Sequence, residues 1–156
     1  MALHDQCIPE AFLCDLEPAD KEDAIRQLVD ALVGADVFTT RKGNAIAKEV
    51  IERERQASTG IGSGVAIPHA RTKAVDRVIL TFGRVAGGFD FAATDGRKVS
   101  VICLLLTPAA AADDHLAAMK SIVAIVRDNY QCKRLIGCKT PESFIGLLKE
   151  LDGVKS

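Results

Sequence analysis

Val99-Ser100-Val101-Ile102-Cys103-Leu104-Leu105-Leu106-Thr107-Pro108 is the stretch on which the fold turns. From Val101 to Leu106 every residue is apolar, so a strand built from it buries both of its alternating faces. Such a strand belongs in the middle of a sheet with helices above and below. Val78 to Val85, rich in β-branched residues, and the short apolar Val65 to Pro68 supply two more strands.

Helical periodicity recurs around these strands. Ala24, Ile25, Leu28, Val29 and Leu32 share one face, with Asp20 placed to cap that helix and Gly34 to stop it. Asn44 to Arg55 offers Ile46, Val50 and Ile51 to the inside and Lys48, Glu49, Glu52, Arg53, Glu54 and Arg55 to the outside. From Asp113, the positions Leu116, Met119, Ile122, Val123 and Val126 make a third apolar stripe. Asn129 to Ile136 fits a short helix, and Pro141 to Leu151 a last one capped by Thr140. The expectation is an α/β fold: a three-layer sandwich whose central mixed β-sheet is flanked by helices on both faces, with residues 1–156 forming a single domain.

Composition narrows the function. Of 156 residues, 48% are hydrophobic and 26% charged, which suits a packed core and a water-facing surface. A net charge of −1 and an aromatic set of six Phe, one Tyr and no Trp leave no field or stacking platform for nucleic acid. The longest apolar run, Val99 to Ala112, is shorter than the roughly 20 residues needed to cross a bilayer, so no membrane insertion is expected. Met1-Ala2-Leu3-His4-Asp5 does not read as a secretory signal, which favours a cytoplasmic protein, and His4 is expected to be solvated. The five cysteines, Cys7, Cys14, Cys103, Cys132 and Cys138, form no C-x-x-C pair and read as reduced thiols.

The densest chemistry lies in Ser58-Thr59-Gly60-Ile61-Gly62-Ser63-Gly64-Val65-Ala66-Ile67-Pro68-His69-Ala70-Arg71. Alternating glycines free backbone amides to turn toward an anion, so Ser58, Thr59, Gly60 and Gly62 are candidates for a phosphate cradle; a tight turn feeding a strand is the other reading. No Gly-Lys-Ser/Thr follows, and no helix opens behind the glycines, so neither nucleotide motif applies. His69 follows Pro68 at the end of the expected strand, where a stiff backbone aims its ring. No H-x-x-x-H spacing supports a metal site.

The string TGIGSGVAIPHAR, residues 59–71, resembles the active-site signature of the type-2 enzyme IIA domains of the bacterial phosphotransferase system, the fructose, mannitol and nitrogen-regulatory group. Arg53-Glu54 followed by Ser58-Thr59 resembles the R-E-x-x-x-S-T segment of that family, and Thr107-Pro108 with His115-Leu116 resembles its strand end and H-L pair. The likeness runs from the first helix to the last and leaves the residues before Lys21 without a role. It implies that His69 is the phosphorylated nucleophile, that Arg53 faces the phosphoryl group and that His115 is the second active-site histidine.

Those residue types suit the chemistry. Phosphoryl transfer between imidazoles needs a neutral ring nitrogen in line with the donor and fixed positive or hydrogen-bonding groups on the equatorial oxygens. Arg53 offers a permanent guanidinium; read without the resemblance, it is a helix-surface charge paired with Glu49. His115 lies near a helix start and can donate a hydrogen bond, with Asp113 and Asp114 read as capping carboxylates. Arg71 is read as a surface charge.

The implied function is that of a phosphoryl carrier charged by an HPr-like, histidine-phosphorylated protein. It needs no cofactor, and the nitrogen-regulatory role is favoured by the single-domain layout and the TGIG form of the loop. The alternatives are a sugar-specific component that passes phosphate to a IIB domain on a separate chain, and a non-phosphorylating binding module of the same fold.

Overall fold

The computed structural model describes residues 2–154. Met1, Lys155 and Ser156, which end the expected 1–156 domain, lie outside the described residues.

The strand Val99–Pro108 (β5) is the spine of the sheet. On one side it pairs in parallel with Val65–Ala66 (β2) and then, further along, with His69–Thr72 (β3). On the other it pairs antiparallel with Ile79–Phe89 (β4). A short strand, Gly60–Gly62 (β1), pairs antiparallel with β2 at the edge. The sheet is therefore mixed, as expected, and β5 lies between neighbours on both sides.

Alternation along β5 divides the interior into two layers. Ile102, Leu104 and Leu106 face helices Lys21–Gly34 (α1) and Thr40–Gln56 (α2). Val101, Cys103 and Leu105 face Ala112–Arg127 (α3), Asn129–Ile136 (α4) and Pro141–Val154 (α5). All six side chains are fully buried, which is why the strand carries no polar alternation in the sequence. Asp20 caps α1 by accepting from the Asp23 amide at 2.8 Å, and Thr140 accepts from the Ser143 amide at 3.1 Å at the start of α5.

The structure corrects several local expectations. The strand expected over Val65 to Pro68 is two strands, because Pro68 has no N–H to give to the ladder and the pairing resumes only at His69. His69 thus opens a strand rather than closing one. Residues 60–62, expected to be loop, form β1, with Gly62 at φ 96° and Gly64 at φ 86° turning the chain back into β2. Helix α2 starts about a turn before Asn44, capped by Thr39 on the Lys42 amide at 3.2 Å. Gly43 lies inside it because α1 comes close: a Cβ there would stand 2.6 Å from Val33 Cγ2. Asp113 and Asp114 are exposed first-turn residues of α3 and do not cap it, since Ala111 occupies the cap position. Leu116, assigned to the inner stripe, is 53% exposed.

The largest correction concerns the residues before Lys21. They run along the open side of β4, with Ile8 N donating to Leu80 O, Leu13 N to Phe82 O and Arg84 N to Leu13 O, at 2.8–3.0 Å. This covers an edge that would otherwise present unpaired amides and carbonyls. Phe12 drops into the second layer, 5.2 Å from the Phe82 ring and 5.8 Å from that of Phe144. His4 is not simply solvated: its Nδ1 lies 2.7 Å from Asp152 Oδ2, joining this segment to α5.

Phe12→Ala should destabilise the fold by about 3–5 kcal/mol, whereas Leu116→Ala should stay within about 0.5 kcal/mol of wild type. Urea denaturation of both variants checks this; equal losses would contradict the assignment of Phe12 to the core.

Candidate functional site

His69, Arg53 and His115 come from three different elements and meet at one open pocket of about 310 Å³, which Glu49, Ala70 and Arg71 also line. The topology brings them together. His69 stands opposite Leu105 on β5, and β5 continues through Thr107 to the loop that starts α3, where His115 lies in the first turns. Arg53 reaches the same place from the last turns of α2. The two imidazole centroids are 5.4 Å apart, with their planes inclined at 51°.

Each ring is held by its Nδ1. In His69 that atom lies 2.6 Å from the carbonyl oxygen of Ile67. A carbonyl can only accept, so Nδ1 carries the proton and Nε2 keeps its lone pair. In His115, Nδ1 lies 2.8 Å from the hydroxyl of Thr107, which is wholly buried at the end of β5. A hydroxyl that donates to Nδ1 puts the His115 proton on Nε2.

Burial holds the His69 pKa below the ordinary histidine value, outweighing the Ile67 carbonyl, which favours the charged ring; the Arg53 charge acts in the lowering direction. His115 is lowered as well, first by burial and then by the cationic forms of His69, Arg71 and Arg53. Both shifts favour the neutral ring.

Arg53 is not paired with Glu49. Its Nη1 donates to the Ala57 carbonyl at 3.2 Å, one of the carbonyls left free beyond the helix end, while Glu49 accepts from the Thr72 hydroxyl at 3.1 Å. Among the described residues no carboxylate lies within ion-pair distance of Arg53. Arg71 donates to the Ala109 carbonyl at 2.8 Å and ties β3 to the loop before α3. The pocket thus sets two guanidinium groups against one carboxylate, which suits an anion.

The expected glycine cradle is not brought to this pocket. The Thr59 amide donates to Glu54 Oε2 at 2.9 Å, its hydroxyl donates to Glu54 Oε1, and the Gly60 amide donates to Ser58 Oγ at 3.1 Å. Gly62 lies in β1 opposite Val65. Ser58, Thr59, Gly60 and Gly62 spend these groups on shaping the turn behind His69. Arg71 and Glu49 are the pocket residues that sequence reasoning missed. Strand alternation carried the first signal, since residue 71 shares the face of residue 69 once the strand continues past Pro68. Helical spacing carried the second, Glu49 lying four residues before Arg53.

A mixed sheet between two helical layers, with His69, Arg53 and His115 at one pocket, is compatible with the resemblance to type-2 enzyme IIA domains, and comparison with known proteins shows the family. Residues 7–151 match the family described as "Phosphoenolpyruvate-dependent sugar phosphotransferase system, EIIA 2", and the chain belongs to it. The match starts at Cys7, so most of the segment before Lys21 is part of the family fold. Among relatives, a "PTS system fructose-specific EIIA component" from Haloferax volcanii is 34% identical over 134 residues, 86% of each chain. A "Nitrogen regulatory protein" from Bradyrhizobium diazoefficiens is 30% identical over 148 residues, 95% of each chain. Among solved structures, nitrogen regulatory protein IIA-Ntr from Neisseria meningitidis superposes with a TM-score of 0.84 at 25% identity, covering 94% of this chain and 98% of that one. No helix of the described residues is long and apolar enough to cross a membrane.

Both imidazoles should titrate with midpoints below the ordinary histidine value, because burial disfavours the charged ring in each. Imidazole NMR titration of the full chain checks this. Midpoints above 6.5 would contradict the burial assigned to the pocket.

Proposed function

We propose that this chain is a phosphoryl carrier that takes its phosphate on His69 Nε2 from an HPr-like, histidine-phosphorylated protein. The observation that supports it most is the Ile67 carbonyl on Nδ1, which leaves Nε2 as the free, unprotonated nitrogen at the pocket. In the transfer step the Nε2 lone pair forms a bond to phosphorus while the P–N bond of the donor breaks and its electron pair returns to the donor imidazole. The Nδ1 proton stays on the Ile67 side throughout. Arg53 and Arg71 take the charge of the equatorial oxygens, and the Nε2–H of His115 supplies a neutral donor to them.

Downstream, the reading we favour is nitrogen-regulatory signalling. It is supported by relatives of that name that align over nearly the whole chain and by the Neisseria structure. The fructose-specific relative favours a second reading, in which His69 passes the phosphoryl group to a IIB domain. Transfer to a purified fructose-type IIB domain separates them: rapid discharge supports the sugar branch, and a phosphoryl group that stays on the chain supports the regulatory one.

Incubation with phosphoenolpyruvate and the general phosphotransferase proteins, followed by intact mass, tests the carrier role. Wild type should gain one phosphoryl group and folded His69→Ala none; uptake by His69→Ala, or none by wild type, would overturn it. Arg53→Lys keeps the charge but loses the fork and should slow transfer about 10²-fold. His115→Ala should still be phosphorylated, but more slowly, with His115→Gln restoring part of the rate. Rapid-quench rates, set beside thermal midpoints, check both.

A further inference from the structure

Among the described residues, Glu54 is the buried carboxylate that this mechanism leaves unused. It follows Arg53 on α2 and is only 2% exposed, a costly position for a carboxylate unless its oxygens are filled. They are filled by one residue and one cation. Thr59 donates its amide to Oε2 at 2.9 Å and its hydroxyl to Oε1, and Lys21 Nζ lies 3.4 Å from Oε2. The carboxylate therefore grips both donors of a single residue at the start of the glycine turn.

From Thr59 the hydrogen bonds continue to the nucleophile. The Thr59 carbonyl accepts from Ile67 N at 2.9 Å, and the Ile67 carbonyl accepts from His69 Nδ1 at 2.6 Å. Ile67 is thus clamped through its amide on one side and presents its carbonyl to the ring on the other, with Pro68 restricting the chain between. A carbonyl is aimed only as well as its backbone is held. Between Thr59 and Val65 the chain passes Gly62, Ser63 and Gly64, all at positive φ, so the turn is held by its contacts rather than by its own stiffness: Glu54 holds it at Thr59, and farther along Ser63 N donates to Asp95 Oδ2 at 3.0 Å and Ser100 N to Gly64 O at 2.8 Å.

We propose that Glu54 is a positioning residue for His69: through Thr59 and Ile67 it aims the carbonyl that holds the imidazole with its proton on Nδ1 and its lone pair on Nε2. The proposal rests on His69 as the phosphoryl acceptor. Leu in place of Glu54 removes both acceptors, whereas Gln would still accept from the Thr59 amide and donate to its hydroxyl oxygen and so serves as the conservative control. Val in place of Thr59 is close in shape and removes only the hydroxyl, whereas Ser retains both donors.

The test combines long-range proton–nitrogen NMR of the His69 ring with phosphotransfer rates on the full chain. Wild type and Thr59→Ser should show His69 almost wholly as the Nδ1–H tautomer. Glu54→Leu and Thr59→Val should show a mixture of tautomers and transfer about ten- to a hundredfold slower at saturating donor, with the KM for the donor protein unchanged. Should Glu54→Leu fail to fold, Thr59→Val carries the comparison. A folded Thr59→Val or Glu54→Leu variant that keeps the wild-type tautomer overturns the proposal, whatever its rate. The tautomer reading needs no phosphoryl donor. Failure of wild type to be phosphorylated would therefore strike the carrier role and leave the positioning of the ring to be judged on the spectra.

Discussion

At the centre of the molecule a main-chain carbonyl, that of Ile67, stands 2.6 Å from His69 Nδ1, and the chemistry available to the chain depends on that contact. It makes one nitrogen of the ring a donor to the main chain and leaves the other with its lone pair free, the nitrogen we propose as the nucleophile. A side-chain carboxylate in the same place would stabilise an imidazolium more strongly and raise the pKa; a carbonyl orients the ring at less cost to its neutrality. Burial, with the Arg53 charge acting in the same direction, then lowers the His69 pKa and favours the neutral ring.

That contact depends on how the sheet is built. Pro68 interrupts the pairing with β5, so Ile67 and His69 fall at the break between two short parallel strands, where a side chain can reach back to its own backbone. β5 can hold both short strands because it is clamped by β4 on its far side and buried on both faces. The same strand carries Thr107 to the His115 ring, so one rigid element sets the positions of both histidines. Arg71, bonded to Ala109, closes the remaining gap between β3 and the start of α3.

Much of this is legible in the sequence, and the parts that are not share a cause. The double-faced apolar run of β5, the caps Asp20 and Thr140 and the stripe of α1 are local patterns, and local patterns suffice to place them. Phe12 and the edge-covering segment depend on an exposed side of β4 that exists only once the sheet has formed. Gly43 reads locally as a weak helix residue, and its reason is the approach of Val33 from another helix. At the site, Arg53, His69 and His115, distant in sequence, line one pocket. The glycine turn, by contrast, looks like an anion cradle until the partners of Thr59 and Gly60 are seen to be Glu54 and Ser58. Hydrogen-bond capacity is visible in a sequence; where it is spent is a property of the fold.

The position of the phosphoryl group on the ring tests this account most directly. Nitrogen-15 chemical shifts of the phosphorylated chain distinguish Nε2-phosphohistidine from Nδ1-phosphohistidine and His69 from His115. Phosphate on Nε2 of His69, with Nδ1 still protonated, is the predicted result. Phosphate on Nδ1 of His69, or on His115, would show that the Ile67 carbonyl does not set the chemistry of this site.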